Sequence, residues 1–151
     1  MAENKDAIST LNSLIETCGD GAEGFRQAAE GLQNAAIKQQ FQTHGQERKR
    51  FADELKSEVQ KLGGTPDSGG SMSGALHRGW INIKSAVSGK SDAAIIAEAE
   101  RGEDVAVEAY QKALQAGLPP HIHSLVQRQF TSVKATHDRV RELEKSYAVK
   151  K

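Results

Sequence analysis

Four ionisable side chains stand where helical periodicity demands apolar ones. His44 and Arg48 lie between Phe41 and Phe51, Glu103 between Ala99 and Ala106, and His137 between Val133 and Val140. An ionisable group on an apolar face is costly unless it is paired or bound to a metal. Two chemistries are therefore open. A carboxylate-bridged di-iron centre needs inward glutamates on two helices and a Glu-x-x-His pair on each of two others. The metal-ligand candidates for such a centre are His44, Glu47, Glu103 and His137.

That ligand set is incomplete. Glu103 suits an inward glutamate, but Lys134 occupies the glutamate position of the pair ending in His137. In Glu47-Arg48-Lys49-Arg50, arginine stands where histidine is needed. His44 and Glu47 keep the spacing in reversed order. The nearest acids on the first helix, Glu16, Asp20 and Glu23, are expected on its outer side. Two divalent ions call for about four carboxylates, whereas this core offers one or two and sets the cations Arg48 and Lys134 in ligand positions. The other chemistry is a protein-only network of His44, Arg48, Glu103 and His137. In it the Arg48 guanidinium supplies the positive charge that a metal would bring to Glu103. A mononuclear site using Glu103, His137 and His44 is a third arrangement.

Other motifs are weaker. His121 and His123 flank Ile122 and suit adventitious metal binding. Ser88-Gly89-Lys90-Ser91 resembles the end of a phosphate-binding loop, but Lys84 stands where that motif needs its first glycine and no strand precedes it. No nucleophile-bearing turn frames the serines. Trp80 is expected to anchor a connection onto the helices, at about 3–5 kcal/mol if truncated; the alternative is a partner-binding tryptophan at an exposed joint.

The elements that position these residues are helices. Ile8, Leu11, Leu14, Ile15, Cys18, Ala22, Phe25, Ala29 and Leu32 recur every three or four residues, which predicts a first helix over about 6–32. Gly19, Gly21 and Gly24 either bend it or admit a close neighbour. A second helix over about 34–62 carries Ile37, Phe41, Phe51, Leu55, Val59 and Leu62 and stops at Gly63-Gly64-Thr65-Pro66. A third is expected over about 92–115 and a fourth over about 120–147, separated by Gly117-Leu118-Pro119-Pro120. Short joints after helices one and three make antiparallel pairs. The connection over about 63–91, with a short helix or turn series over 73–87, makes a crossover. The fold class is all-α: a four-helix bundle with a long crossover between helices 2 and 3, the ferritin-like arrangement, as one domain over 1–151.

Composition narrows the function classes. Twenty basic residues balance twenty acidic ones, which argues against a nucleic-acid partner. Cys18 is the only cysteine, so neither an intramolecular disulfide nor a cysteine zinc cluster can form, and it is expected as a small buried hydrophobe. Met1 to Asp6 lack the features of a secretory signal, and no window is apolar enough to span a membrane. The expectation is cytoplasmic.

Leu14 to Arg26, Gly74 to Asn82, Ala97 to Asp104 and His137 to Val140 together make the chain similar to a bacterial family of short ferritin-like four-helix-bundle proteins, catalogued as domain of unknown function 2383. The resemblance spans about 8–143 and implies the ferritin-like fold and no activity. The expected function is that of a non-enzymatic, stress-related or interaction module with a degenerate metal site and no cofactor. The alternative is a ferritin-like oxidoreductase binding iron or another divalent metal. A homodimer is expected through the small residues Gly19, Gly21 and Gly24.

Overall fold

A computed structural model describes residues 2–66, 80, 82–89 and 91–149 of the chain. The long helices are α1 (Ala2–Gly31), α2 (Ala35–Lys61), α4 (Asp92–Leu114) and α5 (Pro120–Val149); the short α3 covers Ile83–Ser88. No strand occurs among the described residues, and no helix there is long and apolar enough to cross a membrane. The expected Leu76 and Ile81 packing, His77, Arg78 and the Asp67–Ser71 joint lie outside the described residues.

The ends follow local chemistry. Asn34 begins α2 by accepting the Ile37 N–H at 3.1 Å, and Ser91 begins α4 by accepting that of Ala94 at 3.2 Å. Each satisfies a donor that the first helical turn leaves open. Gly63 and Gly117 adopt φ of 85° and 74° just after α2 and α4, a left-handed conformation that glycine enters without penalty. The α1–α2 joint is tied to the start of α4: the Asp92 carboxylate accepts the Gln33 and Asn34 N–H groups at 2.8 and 3.0 Å.

Four antiparallel pairings set the arrangement. Phe25 meets Phe41 across α1 and α2, with ring centroids 5.1 Å apart. Cys18 meets Tyr110 across α1 and α4, Glu54 meets Gln129 across α2 and α5, and Asp104 meets His137 across α4 and α5. It follows that α2 and α4 run in the same direction. Thr65 closes on Asn12 near one end of α1, whereas Asp92 closes on its other end, so residues 66–91 connect opposite ends.

Two apolar clusters fill the interior. One gathers Leu11, Leu14, Leu55, Ile122 and Val126 near the start of α1; the other gathers Phe25, Phe41, Trp80, Ile95, Ile96 and Val140 near its end. Between them lies a polar layer.

Gly21, Gly24 and Gly31 of α1 are approach points for side chains. A Cβ on Gly24 would fall 2.2 Å from the Trp80 ring, and one on Gly102 of α4 would fall 2.3 Å from it. Real Cβ contacts are never so short, so the indole fits because both walls lack side chains. Trp80 is 2% exposed. Seven residues on, a Cβ on Gly31 would meet Val87 at 2.8 Å. Gly21 lies over Arg48. Gly21 and Gly24 are thus covered from within the chain.

Candidate functional site

The polar layer is built around Arg48 of α2 and Glu103 of α4, which are 1% and 0% exposed. The guanidinium donates Nη1 to Glu103 Oε2 at 2.7 Å and Nη2 to Oε1. This fork-to-fork geometry neutralises both charges and fills one lone-pair position on each carboxylate oxygen. Burial works against the Arg48 charge, but Glu103 more than offsets it and holds the guanidinium above its ordinary range. Arg48 also stands over the Phe25 ring, 5.6 Å from its centroid. Its Nε is buried without a hydrogen-bond partner, and Arg48 lines a cavity of about 10 Å³ together with Thr17, Asp20, Gly21, Trp80 and Gly102 among others. That is room for about one water.

The predicted residues do not all converge on this pair. His137 turns to the α4–α5 seam, where Nε2 lies 2.6 Å from Asp104 Oδ1 and Nδ1 lies 3.1 Å from Asp138 Oδ1. The reason is helical phase. Asp104 follows Glu103 by about 100°, so when Glu103 points at Arg48 its neighbour faces α5 and captures the imidazole. His44 stays beside the pair but is not bonded to it. Its ring lies 5.3 Å from Phe25 and 6.1 Å from Phe41, and Nε2 is buried without a hydrogen bond. Burial, then Arg48, then Arg139 push its pKa down to about 4.

Glu47 also looks elsewhere: it accepts the Ser132 hydroxyl at 3.1 Å and has Arg50 at 3.7 Å. Lys134 is an exposed partner of Asp138 at 2.9 Å and contributes no charge to the core. Among the described residues, no three histidine, cysteine or acidic side chains are grouped to hold a metal ion. His121 is largely exposed, 3.6 Å from Glu58. Asp20, expected on the outer side of α1, is 6% exposed. The helix packs against α2, α3 and α4, so its covered arc is wider than the apolar stripe that a sequence wheel marks.

A second part of the layer has no counterpart in the sequence reading. The Tyr110 hydroxyl donates to Gln129 Oε1 at 2.8 Å, and the Cys18 thiol sits 3.0 Å from the same hydroxyl. Since the phenolic proton serves Gln129, the thiol is the donor to Tyr110. Gln129 Nε2 donates to Glu54 Oε1 at 2.9 Å and to the Phe51 carbonyl at 3.3 Å. Burial drives the Cys18 pKa up to about 11 and holds the Tyr110 pKa well above its usual value. Both stay protonated and act as hydrogen-bond relays. Cys18 and Tyr110 occupy ordinary apolar phases in the sequence, and only Gln129, next to Phe130, marks a polar residue at a buried level.

A family model described as "Domain of unknown function (DUF2383)" matches residues 6–116, which takes in α1 to α4 and both partners of the buried ion pair. No curated protein matches the chain.

Proposed function

The chain belongs to the family described as a domain of unknown function (DUF2383), and from its polar layer we propose a non-enzymatic structural or interaction protein of ferritin-like, four-helix-bundle form, with an ion pair where a metal-binding relative would carry ligands. The observation that carries this reading is the Arg48–Glu103 fork. Both Glu103 oxygens face a cation that is already inside the core. A divalent metal placed there would be repelled by the guanidinium and would have to break two charge-assisted hydrogen bonds.

The remaining candidate ligands do not make up the deficit. His137 is engaged by two aspartates and Glu47 by Ser132, while His44 sits between two arginines. Among the described residues no set of donors is grouped as a di-iron centre would need, which weighs against the oxidoreductase alternative. The ferritin-like form is supported by the parallel run of α2 and α4, joined by a connection between opposite ends. Elemental analysis of protein purified without a histidine tag, after growth with added iron, tests the proposal. Metal far below one atom per chain is expected; two irons per chain with oxidase activity would overturn it.

A further inference from the structure

We propose that His44 is a proton-operated wedge, which on taking up a proton loosens the seam between α2 and α5 at the end of the molecule where α2 begins. Several polar links cross this seam to one side of His44. Glu47 meets Ser132, Glu54 meets Gln129 and Arg128, and Glu58 meets His121. At and beyond His44, toward the start of α2, the layer is held by Ile37, Phe41, Val140 and Leu143. An imidazole set among those side chains acts as an apolar filler only while neutral.

Among the described residues, no carboxylate is bonded to His44 that could balance an added charge. Its ring packs on Phe25 of α1 and Phe41 of α2, and the positive charges of Arg48 on α2 and Arg139 on α5 both act on it. Glu103 on α4, buried in this layer, has both oxygens on Arg48, and Asp20 on α1, also buried, lines the cavity beside Arg48. Glu47, one turn along α2, is engaged by Ser132 and Arg50. Gln40, one turn the other way, has a buried Oε1 without a hydrogen bond, as His44 Nε2 has. A protonated ring would be a third cation near two arginines and would put a charge among apolar rings, which Gln40 Oε1, a neutral acceptor, would not balance. Moving α5 away relieves both by admitting water and separating Arg139.

The sign follows from linkage. A histidine whose folded pKa lies below its unfolded value of 6.5 contributes stability at neutral pH, and this is lost as the pH falls from 6.5 toward about 4. Allowing for the partial exposure of the ring, local opening should rise about tenfold between pH 7.5 and pH 5.

The test is amide hydrogen exchange on the full chain at those two pH values, corrected for intrinsic rates, in the parent and in His44→Phe. Phenylalanine keeps a ring against Phe25 and Phe41 but cannot titrate. The expected result is faster exchange at pH 5 over 36–46 and 134–143 relative to 11–18 in the parent, and no such acid response in the variant. His44→Gln, also non-titrating, stands in if the phenylalanine variant does not fold. An equal acid response in the non-titrating variant, a uniform rise over all helices, or no rise in the parent would each overturn the proposal.

Discussion

Replacing Glu103 by alanine leaves the Arg48 guanidinium inside the core with no anion. The side chain cannot escape to solvent, because Gly21 lies against it on one side and the Phe25 ring on another. Breaking one partner of a buried ion pair costs about 3–5 kcal/mol. For a chain of this size, with an m-value near 2 kcal/mol per molar urea, the unfolding midpoint should fall by about 1.5–2.5 M. The informative comparison is the double variant R48M/E103L, which replaces both charges by apolar side chains of similar volume. Exchanging a whole buried pair for hydrophobes is neutral or stabilising by about 1–4 kcal/mol. The double variant should therefore recover all the stability lost in E103A and in R48M. Urea denaturation of the parent, R48M, E103L and the double variant, followed by far-UV circular dichroism alongside E103A, gives the coupling directly. An E103A loss below about 1 kcal/mol, or a double variant as weak as the singles, would refute the claim that the fork neutralises an otherwise trapped charge.

Gly24→Ala or Gly102→Ala should expel the indole, costing about 2–4 kcal/mol and shifting the fluorescence of the single tryptophan to the red; an unshifted maximum in a folded variant would count against the slot. Tyr110→Phe should cost about 1–3 kcal/mol by stranding the Cys18 thiol and the Gln129 carbonyl, measurable by thermal unfolding, and a neutral result would mean that the relay does not hold the layer. Native Cys18, with its pKa pushed up to about 11, should resist iodoacetamide at pH 8 and react only at the unfolding rate. Rapid labelling of the folded protein would contradict its burial.

The helices were legible because their apolar periodicity is long and their stops are strong. Gly63 and Gly117 take the left-handed conformations that their positions implied, and Asn34 and Ser91 cap as their side chains allow. The Arg48–Glu103 pairing was legible as well, since two opposite charges on facing apolar stripes have few other ways to be satisfied. The positions of His44 and His137 were not. Asp104 and Asp138 sit one residue away from a buried position in sequence, and a wheel drawn for an isolated helix does not say which neighbour lies beyond its edge. Asp20 was misplaced for a related reason: α1 is covered on three sides. The Cys18–Tyr110–Gln129 relay left almost no trace, because a thiol and a phenol pass for ordinary core residues until their polar atoms are seen to meet.

The two glycine slots also govern which changes of chain length the protein tolerates. Trp80 and Val87 are seven residues apart and seat against Gly24 and Gly31, themselves seven apart, so the intervening chain works like a ruler with two pegs. One residue inserted or deleted between 82 and 86 would leave one peg out of its hole, at the cost of a buried anchor. A peptide tag or other insertion is therefore excluded from the stretch between the two pegs.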